Sequence, residues 1–412
     1  MFGRLRSTDR DAPARVPQWE SLAISNSEDG TPPTTKLRLL ILLSSLEMGG
    51  AERVICHLLA ALPRSRFEVH LAVLNGAGPL QKNIPADVCI HDLKTRRASR
   101  SVFALLRLLW SIRPDRVLST GSHLNVLAGL LRLLFPPGCR LIIRESATVL
   151  QLGQSWRGFL KLLAVVSYRL ADSVVAQSAA GAKELRARLH LPDARVTHIY
   201  NPVPFEHIDS TAEVAACPFT DSTSGPNILS VARLDPVKGL DRLIKAFVSL
   251  SRLRPSARLW IVGEGRERPK LEQLIHSRGL QDRVHLVGFD ANPWRWMRQA
   301  DLFVLCSQFE SLPNSLLEAI ACRCPVVTLD IPGGTREIME QLGLSSRIVN
   351  RLEAWNEEWF ERPHASIRQS AEALLGMEII AEQYTRLLLA DGIRDRQKSL
   401  PPLSQMAERR AA

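Results

Sequence analysis

Apolar residues along this chain fall in short dense runs separated by stretches of helical periodicity. The run LRLLILLSSL (37–46) ends in turn residues, the pattern of a strand buried on both faces of a parallel sheet. GAERVICHLLAALP follows with apolar positions at helical spacing, and FEVHLAVLN (67–75) is the next strand. The same alternation predicts strands at 87–93, 116–120, 140–145, 173–178 and 195–201, with helices at 99–112, 122–134, 155–170 and 180–189 between them. Strands alternating with helices of this length form crossover units in a parallel sheet. Two prolines in NPVPFEHIDS break the rhythm, and 204–225 has little periodicity, so a domain boundary falls there.

Alternation restarts with NILSVAR (227–233), a helix at 239–252, ARLWIVGEG (257–265) and a helix at 267–277. It continues with VHLVGF (284–289), a short helix at 293–299, LFVLCS (302–307), a helix at 313–322 and PVVTLD (325–330). The expected fold is α/β: two Rossmann-like domains in tandem, 36–203 and 204–364, facing each other across a cleft. A long helical pattern over 365–390 closes the chain; residues 1–35 read as a disordered tail and 393–412 as a frayed one.

Composition agrees with two soluble domains: 412 residues, 45% hydrophobic and 23% charged. The net charge of +11 asks for an anionic partner. KTRRASRSVFALLRLLWSIRPDR (94–116) holds seven basic residues and one acid, and Arg132, Arg140, Arg144, Arg157, Lys161 and Arg169 follow among apolar residues. Such interleaving suits helices lying on an anionic bilayer; ordinary amphipathic helices with snorkelling arginines give the same pattern. No window reaches ~18 uncharged apolar residues, and no apolar run follows the N-terminal arginines, so neither a span nor export is expected. The expected location is the cytoplasm, peripheral on the inner face of the membrane. Aromatics are 6%, with no nucleic-acid module, so nucleic acid is not an expected partner. Seven scattered cysteines lack metal or disulfide spacing, which implies reduced thiols and no metal site.

Candidate chemistry sits on the strand-to-helix loops. Gly49 and Gly50 let backbone and helix N–H groups approach an anion, although a plain turn uses glycines equally well. In VARLDPVKGLDRLI, Arg233 and Lys238 are two cations on one such loop, placed to clamp a diphosphate. In QADLFVLCSQFESLPNSLLEAIACRCPVVTLD, Glu310 lies in a loop, Pro313 at a helix start and Glu318 within that helix, about 7.5 Å along from Pro313. The two carboxylates bracket a helix N-terminus, an arrangement fit for phosphate and sugar hydroxyls, though either glutamate is also an ordinary solvated residue.

Glu310 and Glu318 form an E-x7-E pair. With GGAERV, VARLDPVKGLDRLI, WIVGEGRERPKLEQLI, GFDANPWRWM and PVVTLDIPGGTREI, they resemble the family 4 retaining glycosyltransferases of the GT-B fold, over about residues 38–342. The likeness is to bacterial enzymes that build cell-surface polysaccharides or lipid-linked glycans. It implies a nucleotide-sugar donor, UDP favoured over GDP, a lipid-linked or glycan acceptor and no metal cofactor. It also implies roles: Arg233 and Lys238 hold the donor diphosphate, Glu310 contacts the sugar, and Glu318 binds the ribose. Backbone near Ser311, Leu312 and Asn314 lines the sugar and phosphate, Gly263 lies beside the nucleotide, and Gly49 and Gly50 approach the diphosphate. His123, in STGSHLNVLAG, matches a histidine near the sugar, with a core or capping histidine as the other reading. Arg144 and Glu145 fall on the acceptor side by position, and the helix at 365–392 crosses back to the first domain. Three departures stand out: Ser311 and Arg323 replace glycines, and RIVNRLEAWNEEWFERP is shorter than the usual strand-and-helix return. A non-catalytic nucleotide-sugar-binding scaffold therefore stays an alternative. A nucleotide-sugar 2-epimerase shares the fold, but its catalytic acids and histidine cannot be placed here.

Overall fold

The computed structural model describes residues 36–47, 49–95, 97–145, 159–213, 219 and 225–390. The expected tails, residues 155–158 of a predicted helix, Arg96, Arg157 and the Lys161 side chain lie outside what is described.

Two parallel sheets form the frame. The first contains β1 (Leu37–Ser45), β2 (Phe67–Asn75), β3 (Cys89–Asp92), β4 (Arg116–Thr120), β5 (Arg140–Arg144), β6 (Ser173–Ala176) and β7 (Val196–His198), in the order β3-β2-β1-β4-β5-β6-β7. Leu39, Leu40, Ile41 and Leu42 of β1 are all buried, so both faces of the central strand are covered. Burying each such side chain contributes about 1.5–3 kcal/mol, which explains why an unbroken apolar run becomes the sheet's centre. Helices α1 (Gly50–Ala61), α2 (Val102–Ile112), α3 (Ser122–Leu130), α4 (Phe159–Leu170) and α5 (Ala179–Leu189) make the crossovers.

The second sheet holds β8 (Asn227–Val231), β9 (Arg258–Val262), β10 (Val284–Gly288), β11 (Leu302–Leu305), β12 (Val326–Leu329) and β13 (Ile348–Val349), in the order β10-β9-β8-β11-β12-β13. Its helices are α6 (Phe205–Glu213), α7 (Leu240–Leu253), α8 (Arg268–Ser277), α9 (Trp294–Gln299), α10 (Asn314–Ala321) and α11 (Thr335–Gln341), followed by α12 (Ala365–Leu375) and α13 (Met377–Leu389). Strand order reverses between β1 and β4 and again between β8 and β11. Ligands of open α/β sheets bind outside the carboxyl ends of strands at such points, and the loops after these four strands carry the motifs.

The pattern of the chain misled at three places. The helix expected over 365–390 breaks at Gly376, where φ is −56° and ψ 146°. α12 packs against α10 of the second domain, whereas α13 packs against α1 of the first. The Val203 N–H donates to the Leu375 carbonyl at 2.8 Å, so the outward and return crossings run side by side. Second, the aperiodic stretch contains α6, which buries Phe205, Ile208 and Ala212. Third, the shortened segment still closes the sheet: Ile348 and Val349 pair with Thr328 and Leu329, and the Trp355 Nε1–H donates to the Ala246 carbonyl at 3.0 Å.

Candidate functional site

The loop after β8 carries exposed Arg233 and then a one-turn 3-10 helix over Pro236–Lys238, capped by the Asp235 carboxylate accepting from the Val237 N–H. That turn aims Lys238 at the loop after β11, where its Nζ lies 2.6 Å from Glu310 Oε1. The Ser307 hydroxyl donates to the same oxygen at 2.6 Å, so two donors fix the carboxylate. Backbone packing holds this loop closely. Gly333 sits at φ +111°, and a Cβ there would lie 1.7 Å from the Glu310 carbonyl oxygen. Gly263 is at φ +143°, with a Cβ position 2.0 Å from the Ala232 carbonyl oxygen, so the ends of β8 and β9 close together beside Arg233.

Glu310 leads through Ser311 and Leu312 to the start of α10. Leu312 buries its side chain, so only its backbone is available to a ligand. The N–H groups of Asn314 and Ser315 have no acceptor among the described residues, as expected of an open helix start. From the first domain, Gly49 caps α1 and Gly50 opens it. The Asn314 Nδ2 donates to the Gly50 carbonyl at 3.2 Å, joining the two helix starts across the cleft. Asn201 Nδ2 donates to Asn314 Oδ1 at 2.6 Å.

Glu318 is buried one turn further along α10, and Arg53 from α1 reaches its Oε1 at 3.1 Å. Burial pushes the Glu318 carboxyl up from its ordinary range, and the Arg53 charge and then a Trp294 side-chain hydrogen bond oppose that rise. Glu52, on the same turn of α1, is also pushed up by burial, against a backbone hydrogen bond and the charges of Arg233 and Arg144.

Arg233, Lys238, Glu310, Gly263, Ser311, Leu312, Asn314 and Glu318 thus gather on the second domain, with Gly49 and Gly50 opposite. His123 is exposed at the start of α3, beyond β4 at the first sheet's reversal point. Arg144 and Glu145, placed on the acceptor side by position, are both buried. Arg144 donates to Tyr384 Oη on α13 at 3.1 Å, to Thr120 Oγ1 at 3.3 Å and to Asn201 Oδ1 at 2.6 Å. Glu145 accepts from Ser122 at 3.2 Å, from Asn125 at 3.4 Å and from Tyr168. These bonds tie the end of β5 to α3, α4 and α13.

Ser311 keeps φ outside the left-handed region, while Arg323 adopts it at φ 58°, just past the end of α10. Residues missed by the sequence are Glu52, Arg53, Asn201 and Glu337. Glu337 of α11 accepts the Ala179 and Ala180 N–H groups at 2.9 Å each and the Tyr200 hydroxyl at 2.5 Å, so a second-domain carboxylate caps a first-domain helix. The signal for two of them was present: GGAERV puts both charges on the first turn of a helix at the cleft. Among the described residues no group of three His, Cys, Asp or Glu side chains is placed to hold a metal ion.

Comparison with known proteins agrees with this architecture. Residues 48–207 match the family described as Glycosyltransferase Family 4, and 220–348 match Glycosyl transferases group 1. The N-acetylgalactosamine-N,N'-diacetylbacillosaminyl-diphospho-undecaprenol 4-alpha-N-acetylgalactosaminyltransferase of Campylobacter jejuni is 30% identical over 330 residues, 76% of this chain and 87% of that one. The amylovoran biosynthesis glycosyltransferase AmsD of Erwinia amylovora is 28% identical over 366 residues, 85% of this chain and 99% of the relative. Among solved structures, Anabaena HepE with UDP and glucose superposes with a TM-score of 0.69 at 19% identity, over 85% of this chain and 99% of its own, a likeness of fold. The chain belongs to the family 4 glycosyltransferases and carries their GT-B fold.

Proposed function

We propose that this chain is a retaining transferase that moves a sugar from a nucleoside-diphosphate donor, UDP before GDP, to a lipid-linked or growing glycan acceptor, without a metal ion. The observation that carries the reading is the Lys238–Glu310 pair, 2.6 Å apart at the second sheet's reversal point, with the open starts of α10 and α1 on either side. A donor diphosphate entering here draws Lys238 toward its phosphates and releases Glu310 to accept from sugar hydroxyls. As the bond from the anomeric carbon to the diphosphate oxygen breaks, negative charge grows on the β-phosphate. Arg233, Lys238 and the N–H groups of α10 meet that charge; each such preorganised contact is typically worth ~3 kcal/mol. The acceptor hydroxyl attacks from the face the diphosphate leaves, and its proton passes to the departing phosphate oxygen. His123 faces the sugar from the first domain.

HepE was solved with UDP, which supports UDP as donor, and the Campylobacter relative's name gives a diphospho-undecaprenol acceptor, which supports a lipid-linked one. A membrane-facing surface suits such an acceptor. Phe103 is 87% exposed and Leu133 80%, near Trp110 and Leu134, which are tied by an indole hydrogen bond to the Leu134 carbonyl at 3.1 Å. Exposed Arg97, Arg100, Arg107 and Arg113 share this region, whereas Arg116 and Arg144 are buried. No helix of the described residues is long and apolar enough to cross a membrane. The proposed location is the cytoplasmic leaflet, held by apolar insertion and basic charge. Ser311 carries no left-handed strain, Arg323 takes the turn a glycine would take, and β13 completes the sheet, which supports transfer over a scaffold role.

Labelled UDP- and GDP-sugars incubated with lipid extract and the purified chain test this. Label entering lipid with the wild type, and not with Glu310→Ala or Lys238→Ala, is expected. Donor binding without turnover for every sugar tried would return the scaffold reading.

A further inference from the structure

Arg53 plays no part in the transfer step described above, yet among the described residues it is the ion-pair partner of Glu318. We propose that Arg53 is a positioning residue for the donor: carried by the first domain, it keeps Glu318 of the second ionised, so that this carboxylate accepts hydrogen bonds from a vicinal diol, the donor ribose. The inference deepens the function proposed above and rests on it.

The geometry is closed on several sides. Arg53 Nη2 lies 3.1 Å from Glu318 Oε1, with the two side chains only 22% and 9% exposed. The guanidinium also lies over the Trp294 ring, 5.3 Å from its centroid, which holds the fork in place. Gly50, on the same turn of α1, accepts from Asn314 at the start of α10, so the two helices are joined one turn apart. An Arg53 contact does not exhaust the acceptor, since a carboxylate offers about four lone-pair sites.

Burial gives Arg53 its purpose. The dry surroundings of Glu318 favour the protonated acid, which would turn an acceptor into a donor and lose the charge-assisted bonds to hydroxyls. The other ionisable neighbours do not supply a positive charge. On α1, burial and Arg53 push the His57 imidazole down to about 3; on α6, the same causes push His207 down to about 4, so both are neutral near pH 7. Asp209 of α6 is engaged by Arg298 of α9 and Arg368 of α12. Cys322, capping the end of α10, stays a thiol, pushed well up by burial. A Trp294 side-chain hydrogen bond also favours the carboxylate, less than the Arg53 charge does, and Glu52 of α1 is itself a carboxyl.

The test is calorimetric titration of the full chain with UDP and with 2′,3′-dideoxy-UDP between pH 6 and 9, with GDP alongside, for wild type, Arg53→Lys and Arg53→Met. The expected result is that Arg53→Met weakens UDP binding about tenfold or more at pH 6, the worth of charge-assisted bonds to the ribose hydroxyls that a protonated carboxyl does not make. That loss shrinks as the pH rises and Glu318 ionises unaided, Arg53→Lys restores most of the affinity, and dideoxy-UDP binding is unchanged. If UDP affinity is the same in Arg53→Met at every pH, the inference is wrong. It is equally wrong if UDP and dideoxy-UDP weaken alike with no pH dependence, which is what a purely structural arginine would give. If Arg53→Met fails to fold, Arg53→Lys decides: its pH profile follows the wild type's, and a profile that does not overturns the inference. Wild type that binds no nucleotide overturns the proposed function along with it.

Discussion

At the scale of single residues, the candidate site is a set of charges paired between loops and between domains. Lys238 is held by Glu310, and Glu318 by Arg53. Removing the Lys238 ammonium leaves the charge on a departing diphosphate less well met. Lys238→Ala is therefore expected to lower turnover by about 10²–10³-fold, read by initial rates at saturating donor. Arg323 illustrates a different kind of residue. Its left-handed backbone, φ 58°, costs an L-residue about 1–2 kcal/mol, yet the Cys324 N–H still reaches the Ala319 carbonyl at 3.0 Å and closes the helix. Arg323→Gly is expected to raise stability by about 1 kcal/mol in a denaturant titration without changing activity. An unchanged midpoint would mean that the arginine's contacts offset the strain.

At the scale of elements, strands and loop motifs were legible because each is local. An apolar run bounded by turns, a cation pair five residues apart and the E-x7-E spacing all announce themselves within one stretch of chain. Pairings between distant stretches were not legible. Asn201 and Asn314 are 113 residues apart, and Arg144 meets Tyr384 across 240. Arg144 and Glu145 were placed by their position at the end of a parallel strand, and the bond from Arg144 to Tyr384 of α13 had no signal there. Gly376 carried the one hint that this helix was two, since a glycine within a helical pattern weakens it. Glu337 shows how elements of both domains are tied together. Its carboxylate caps α5 from the opposite domain, and such charged hydrogen bonds contribute about 1.5–3 kcal/mol. Glu337→Ala is expected to cost roughly 2 kcal/mol of stability and to expand the molecule measurably in X-ray scattering. An unchanged radius would remove it from the interdomain contact.

At the scale of the whole molecule, two sheets face each other and the functional groups come from both. His57 on α1 and His207 on α6 lie where the domains meet, each kept neutral by burial beside Arg53. In the unfolded chain they titrate near pH 6.5, so below that pH the unfolded state takes up protons that the folded one refuses until about pH 4 and pH 3. Stability contributed by these histidines is present above pH 6.5 and is lost as the pH falls toward 4. The melting temperature is expected to drop across that window, and His57→Gln is expected to flatten the drop. The basic, apolar face of the first domain belongs to this scale too. Sedimentation with anionic liposomes is expected, weakening as salt screens the arginines; binding indifferent to lipid charge and salt would contradict it.

The most direct test of the central claim, that the cleft transfers sugar with retention, is the configuration of its product. A UDP-α-linked sugar is supplied with the acceptor that takes up label, and the new glycosidic bond is assigned by NMR. The expected product is α-linked, formed by the wild type and lost in Glu310→Ala and Lys238→Ala. A β-linked product, or an α-linked one formed as fast by both variants, would contradict the claim.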